Sequence, residues 1–280
     1  MWAVPFRGGT LQLGQRTLLM GVVNVTPDSF SDGGQHRAPE AAIRHGLDLV
    51  AAGADLLDIG GESTRPGAAP VAAEEERGRV EPVIAALTQQ TSVPISVDTS
   101  KAAVAYAALA AGASLVNDVT ALRGDPAMAA VVARAHVPII LMHMHGTPQT
   151  MQQDPRYNDV VAEVLTFFQE AIARATDSGI ARELVWLDPG IGFGKTLEHN
   201  LQLLAHLPTL ATLDRPLVVG PSRKSFIGQL LDRPVEQRLW GTAGAVAVAA
   251  WHGAAIVRVH DVAAMRDVVR VVEAIAAMQG

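Results

Sequence analysis

Cysteine is absent from the 280-residue chain. That excludes disulfides, a thiol nucleophile and any cysteine-based zinc site, and it suits a reducing compartment. Positive charge is outweighed as well: 22 lysines and arginines face 28 acids, a formal net charge of −6. A nucleic-acid partner is therefore not expected. No charge-free run reaches transmembrane length with flanking anchors, so no membrane partner is expected either. The first ten residues, MWAVPFRGGT, lack the apolar core of a signal peptide. A soluble cytoplasmic protein is the expectation. Linker-like and low-complexity segments are missing, so nothing divides the chain. Hydrophobic residues make up 49% of it, enough for one large α/β core.

What is present is a repeated theme. The stretch 184–196, LVWLDPGIGFGKT, shows it best: an apolar run ends in Asp188, Pro189 and Gly190 stop it, and a glycine-rich loop follows. Such punctuation marks a buried strand opening into a loop. Similar apolar runs are expected as strands at 17–24, 55–61, 94–99, 115–119, 138–143, 217–220 and 254–260. Helical patterns intervene at 39–52, 73–90, 101–111, 125–134, 160–178, 198–207, 239–252 and 262–278. Strand–helix units spaced by roughly 35 residues approach the ~250-residue size of a (β/α)8 barrel. The expected fold is thus an α/β TIM barrel over 17–280, preceded by a short hairpin over 1–16. A doubly wound sheet is the competing architecture, but polar residues close almost every strand here, whereas open sheets gather ligands at one switch point.

A carboxylate at the tip of such a strand is where a barrel keeps its chemistry. The alternative for Asp188 is that it caps the next helix. Side chains alternate across a strand, so Ile256, Arg258 and His260 share one face, as do Ser96 with Asp98, Leu115 with Asn117, and Trp186 with Asp188. An inward arginine is costly unless it meets an anion or a carboxylate. Arg258 therefore points to an anionic ligand at the mouth, with an internal Arg–Asp pair as the alternative. Three polar, glycine-punctuated loops support a charged substrate. Loop 24–34 is NVTPDSFSDGG, and loop 60–67, GGESTRPG, presents Thr64 and Arg65. Loop 220–228, GPSRKSFIG, offers Ser222, Arg223, Lys224 and Ser225 where barrels often bind phosphate. GFGK lacks the spacing of a P-loop. Met142 is expected inward, as part of a ligand wall. His143 and His145 invite a metal reading but are expected to face opposite sides, which sets a shared ion aside.

In unbroken order from about 18 to 262, the motifs LMGVVNVTPDSFSDGG, LLDIGGESTRPGA, ISVDTSK, VNDV, LMHMHGTP, LDPGIGFGKT, GPSRKSFIG and RVHDV resemble the dihydropteroate synthase family. The resemblance implies a folate-pathway transferase on a (β/α)8 barrel. Such an enzyme condenses 6-hydroxymethyl-7,8-dihydropterin diphosphate with 4-aminobenzoate, with Mg2+ on the diphosphate. By similarity Asp98, Asn117, Asp188 and Lys224 hold the pterin, with Met142 and Phe193 also binding substrate. Asn24 holds the metal, with Asp32 a weaker second candidate. Arg258 and His260 hold the diphosphate, and Thr64, Arg65 and Ser222 lie near aminobenzoate or diphosphate. Arg65, Lys224, Arg258 and His260 are the implied catalytic residues. Loops 24–34 and 60–67 are expected to close over the site and exclude water. A pterin-binding methyltransferase domain would have little use for Arg258, His260 and the SRKS loop. A barrel that binds pterin without turnover is disfavoured because every loop is intact. A metal-dependent aldolase would want a lysine Schiff base or a His/Glu cluster.

The segment 239–255, LWGTAGAVAVAAWHGAA, carries no charged residue. A helix apolar all round must be covered on every side. A homodimer through helix 239–252 is therefore expected, with cover by segment 1–16 or the last helix as the alternative.

Overall fold

The computed structural model describes residues 1–6, 8–26 and 38–278. The chain opens on an antiparallel hairpin of β1 (Trp2–Phe6) and β2 (Gly9–Leu13), pairing Trp2 with Leu13 and Phe6 with Gly9. Eight parallel strands follow: β3 (Leu18–Asn24), β4 (Leu56–Gly60), β5 (Ile95–Asp98), β6 (Leu115–Asp118), β7 (Ile139–Met142), β8 (Val185–Asp188), β9 (Val218–Val219) and β10 (Ile256–Val259). They hydrogen-bond in the order β8-β7-β6-β5-β4-β3-β10-β9. A parallel bridge from Leu187 to Leu217, the residue before β9, closes the ring. Every residue of β4 to β8 is buried. That explains the near-continuous apolar runs, since barrel strands are covered on both faces.

Ten helices lie among the described residues: α1 (Ala38–Ala51), α2 (Ala73–Gln90), α3 (Ala102–Ala111), α4 (Met128–Ala135), α5 (Val160–Asp177), α6 (Leu197–Ala205), α7 (Leu207–Ala211), α8 (Ser225–Leu231), α9 (Leu239–Trp251) and α10 (Val262–Ala276). α5 shows why they form where they do. Val160, Val164, Phe168, Ala171, Ile172 and Ala175 recur at helical spacing and are all buried. Asp159 caps its start, accepting from the backbone N–H groups of Val161 and Ala162 at 3.0 Å each.

Two departures from the sequence pattern have local causes. The helix expected over 125–134 begins only at Met128; Asp125 stands in the turn before it, its Oδ1 accepting from the Ala127 N–H at 2.9 Å. Its Oδ2 accepts from the Ala102 N–H at 2.9 Å, so it caps the first turn of α3 across space. The helix expected to run on to residue 207 ends at Ala205, and α7 restarts with Pro208 in its first turn. The short helix α8, inside the loop after β9, has no periodicity long enough to read in the sequence.

The hairpin covers the N-terminal end of the barrel. β1 packs on the single turn 182–184 that leads into β8, and Val4 and Leu13 are buried in the same hydrophobic core as the barrel strands. The opposite end, where β3 to β10 finish, is left to carry chemistry. No helix among the described residues is long and apolar enough to cross a membrane. Leu13 is fully buried, so Leu13→Ala is expected to cost about 2–4 kcal/mol through lost burial and a residual cavity. A urea-unfolding midpoint unchanged by the substitution would show that the hairpin is not part of the core.

Candidate active site

The parallel register sets one tier of residues at the C-terminal mouth. Asn24 lies beside Gly60, Gly60 beside Asp98, and Asp98 beside Asn117. Across the barrel, Met142 lies beside Asp188. A cleft there is lined by Thr64, Asp98, Asn117, Met142, Asp188, Phe193, Lys224 and Arg258, together with Val119, Ile191 and Gly220. Eight residues singled out in the sequence thus meet in one place. Asn24, Arg65, Ser222 and His260 are not among the lining residues.

Arg258 organises the polar side of the cleft. Its Nε donates to Asp58 Oδ2 at 2.6 Å and its Nη2 to Asp98 Oδ2 at 2.9 Å. The internal Arg–Asp pairing considered from the sequence is therefore present. Asn117 Nδ2 donates to the same Asp58 oxygen at 3.0 Å. Asp58 Oδ1, Asn117 Oδ1 and Ser96 Oγ are buried with no partner; of the three residues Asn117 lines the cleft, where a ligand offering a donor would relieve that cost. Burial, and next the negative charge of Asp58, pushes the Asp98 carboxyl up to about 7, against the pull of Arg258. Asp98 therefore both donates and accepts near neutral pH.

Asp188 does not cap the next helix. Its Oδ1 accepts from the Gly190 N–H at 2.7 Å. α6 is capped instead by Thr196, in a reciprocal box with His199. Burial raises the Asp188 carboxyl from its usual range, opposed by the Gly190 hydrogen bond and by Lys224, Arg258 and Lys195. The glycines after it are sterically required. A Cβ on Gly190, at φ +65°, would lie 1.9 Å from the His143 carbonyl oxygen, and one on Gly194 would lie 2.6 Å from that of His145. That close approach brings Phe193 to the cleft wall, where Val119, Met142, Met144, Met151 and Phe193 form a separate apolar cluster.

Lys224 Nζ stands 3.9 Å from the centroid of the Phe193 ring. Burial, then Arg258, pulls the Lys224 ammonium down to about 8. Ser222 Oγ accepts from the His260 N–H at 3.2 Å and lies 2.9 Å from its Nδ1. Burial, then Arg258, lowers the His260 ring to about 4. A neutral ring that accepts the Ser222 hydroxyl's hydrogen bond on Nδ1 carries its own proton on Nε2. Arg223 turns away from the cleft and forms a two-bond pair with Asp261 at 2.9 and 2.5 Å. Arg65 is exposed on its loop, close enough for its charge to act on Lys224. Asn24 is half-buried at the end of β3. Asp32 and residues 27–34 of the loop expected to close over the site lie outside the described residues.

His143 and His145 do diverge, though not by strand alternation, under which residues two apart share a face. β7 ends at Met142, so the chain has left the strand. His143 is buried against Lys195 and His145 is exposed. Among the described residues no group of three His, Cys, Asp or Glu side chains could hold a metal ion.

Sequence reasoning missed Asp58 and Lys195. Asp58 was signalled by the same alternation that found Asp98, as the acid of LLDIG in an otherwise apolar run. Lys195 carried no such signal, since a lysine in a glycine-rich loop reads as solvated. It is 3% exposed.

Residues 20–260 match the family model described as pterin binding enzyme. The dihydropteroate synthase of Escherichia coli strain K12 is 50% identical over 256 residues, which cover 91% of this chain and 90% of the relative. A crystal structure of Xanthomonas albilineans dihydropteroate synthase with 4-aminobenzoic acid superposes with a TM-score of 0.89 at 53% identity, covering 94% of each chain. The same enzyme in complex with 7,8-dihydropteroate gives 0.87 at 50% identity, covering 96% of each.

The burial of Asp98, with Asp58 beside it, has a measurable consequence. Asp98 has a higher pKa folded than unfolded, so the stability it contributes is fully present below about pH 4 and is lost as pH rises through about 7. D98N imitates the protonated carboxyl. Urea unfolding is expected to show the variant gaining roughly 1–4 kcal/mol relative to wild type between pH 5 and pH 8. A difference between the two proteins that does not change with pH would contradict the assignment.

Proposed function

The chain belongs to the pterin-binding enzyme family, and we infer that its activity is that of a dihydropteroate synthase, a transferase of folate biosynthesis. It joins the methylene carbon of 6-hydroxymethyl-7,8-dihydropterin diphosphate to the amine of 4-aminobenzoate and releases diphosphate. The observation that carries this reading is the cleft itself. It holds a buried acceptor without a donor, Asn117 Oδ1, and the carboxylates of Asp98 and Asp188, between an apolar wall of Met142 and Phe193 and the two cations Lys224 and Arg258. A dihydropterin is a flat ring edged with N–H donors and carrying an anionic tail, so it meets each of these needs.

In this mechanism Asp188 and Asn117 accept from the ring's amino and N–H donors, as charged and neutral partners of a planar edge. Asp98 donates or accepts according to its proton. Phe193 and Met142 cover the ring faces. Lys224 and Arg258 face the polar edge and the diphosphate, with His260, held by Ser222, offering Nε2–H. The carbon–oxygen bond breaks with its electron pair leaving on diphosphate, and a ring nitrogen stabilises the methylene cation. The aniline lone pair then forms the carbon–nitrogen bond, and the amine sheds a proton. The step needs dryness more than a strong base, which gives Thr64 and Arg65 their part as the loop after β4 covers the cleft. Arg258 can meet the diphosphate only by sharing or releasing Asp58 and Asp98, so tail binding and the protonation of Asp98 are linked.

The proposal includes Mg2+. An octahedral ion that keeps waters and takes phosphate oxygens needs only one or two protein oxygens. Asn24, half-buried at the mouth with no acidic cage around it among the described residues, fits that pattern. The ion would supply charge neutralisation on the departing diphosphate. The cytoplasm is the proposed compartment, supported by a chain without cysteine.

We also propose a two-fold homodimer. On α9, Trp240, Val248 and Trp251 are exposed along one stripe, and Val271, Ile275 and Met278 are exposed on or just beyond the adjacent α10. That much contiguous apolar surface calls for cover. α9 is not apolar on a buried face alone, so the barrel satisfies only Thr242, Ala245, Val246 and Ala249.

Three experiments test these readings. Purified protein given the pterin diphosphate, 4-aminobenzoate and Mg2+ is expected to form dihydropteroate and diphosphate. D188N places an N–H where an acceptor is required and should weaken pterin binding by about 2–4 kcal/mol with the fold intact. Unchanged affinity by calorimetry would remove Asp188 from the site. For the assembly, light scattering should give twice the chain mass for wild type and the single mass for V248E. A wild type that is monomeric at micromolar concentration rejects the dimer.

A further inference from the structure

Only three lysines occur in this chain, at 101, 195 and 224, among 22 basic residues. Lys224 has its place in the cleft, and Lys101 bridges Glu62 and Glu76 below the loop that carries Arg65. Lys195 has no assigned role. It does not line the cleft, yet it is almost wholly buried. A buried ammonium is costly to the fold unless well compensated. Its Nζ lies 2.9 Å from His143 Nδ1, donates to the Phe193 carbonyl at 3.0 Å and approaches the His143 carbonyl at 3.4 Å.

Each of these contacts leads to the cleft. Phe193, tied by its carbonyl to Lys195, presents its ring to Lys224 Nζ. His143 donates its backbone N–H to the Asp188 carbonyl at 2.9 Å. The rest of the loop is clamped from outside. Gln152 donates to the Gly192 carbonyl at 2.9 Å, and the Tyr157 hydroxyl to the Gly194 carbonyl at 2.8 Å. The Lys195 charge interacts favourably with Asp188 and unfavourably with Lys224.

We propose that Lys195 is a positioning residue for pterin recognition. Its ammonium holds Phe193 and His143 in place, and it stands behind Asp188 as a counter-charge that substrate never displaces. The inference rests on the reading of the cleft as a dihydropterin site. The electrostatics agree. Asp188 is faced by Lys224 ahead of α8, by Arg258 on β10 and by Lys195, and the first two are needed by the ligand. Lys195 is faced by His143 beyond β7, by Asp188 and by Lys224. His143 is in turn surrounded by Lys195, Arg123 and His145, and it stays neutral, its pKa lowered chiefly by burial. A neutral ring accepts from an ammonium on Nδ1. Burial draws Lys195 itself down to about 7, so its charge is present below neutral pH and is lost as pH rises through about 7.

Two variants separate tether from charge. K195Q keeps an N–H donor for the Phe193 carbonyl and removes the charge, whereas K195M removes both. Binding of the pterin diphosphate with Mg2+ is measured by calorimetry from pH 5.5 to 9, alongside thermal unfolding. K195Q is expected to lose about tenfold in affinity at pH 6.5, and K195M more, with the acid limb of the profile moved up by about one unit because Asp188 has lost a cation. A purely structural lysine would lower the unfolding temperature and leave that limb in place. Folded variants that bind within twofold of wild type, with the same limb, overturn the proposal. Should neither variant fold, wild type decides: the three lysine side-chain 15N signals can be followed with pH, and affinity must fall as that of Lys195 titrates. Affinity that stays level through that titration also overturns the proposal. Wild-type protein that binds no pterin diphosphate would instead reject the functional reading beneath it.

Discussion

A guanidinium held between two carboxylates sets the terms for the barrel mouth. Arg258 meets Asp58 and Asp98, three charges in a place where water has little access. Burial makes each charge expensive alone, and pairing brings the cost down only when geometry is good and every lone pair is satisfied. Here it is not fully satisfied, since one oxygen of Asp58 has no donor and Asp98 is pushed toward its neutral form. The mouth is thus held together well enough to fold and left incomplete enough to bind. A ligand bringing a donor for Asp98 and an anion for the arginine meets the two of these three groups that line the cleft. This is how a site can be built from groups that weaken the unliganded fold.

Much of this was legible in the sequence, for physical reasons. Barrel strands are short, buried and separated by glycine or proline, so their polar ends stand out against apolar runs. Asp98, Asn117, Asp188 and Arg258 were found in that way, and the register brings them to one cleft. What was not legible depends on contacts between distant segments. Asp125 looks like the first residue of a helix, and only folding shows it capping another helix. Arg223 sits beside Lys224 in the same basic motif, yet the pairing with Asp261 turns it away. Lys195 is hidden by its loop, because sequence alone does not reveal that a glycine-rich segment is packed beneath a second one.

The two halves of the mouth are built differently. On the side of β6 to β8, the backbone approaches itself so closely that Gly190 and Gly194 tolerate no side chain, and Gln152, Tyr157 and Lys195 fasten the loop from three directions. A flat aromatic ring needs such a fixed slot. On the side of β4, Thr64 and Arg65 stand on a loop fastened mainly at its root, where Lys101 and Arg79 hold Glu62 and the Gly61 carbonyl. Rigid recognition on one side and adjustable cover on the other suit a reaction that must admit a second molecule after the first is seated.

The scarcity of lysine carries over to the chemistry of the molecular surface. Positive charge exposed to solvent is carried by arginine, and the three primary amines of the side chains are all gathered at the mouth of the barrel. Acylating agents, amine-directed cross-linkers and lysine-specific proteases therefore find little to attack on the folded exterior beyond the chain's own α-amine. Of the three, Lys224 lines the cleft and Lys195 holds the Phe193 carbonyl behind it, so modification of either of these two falls on residues that shape the site.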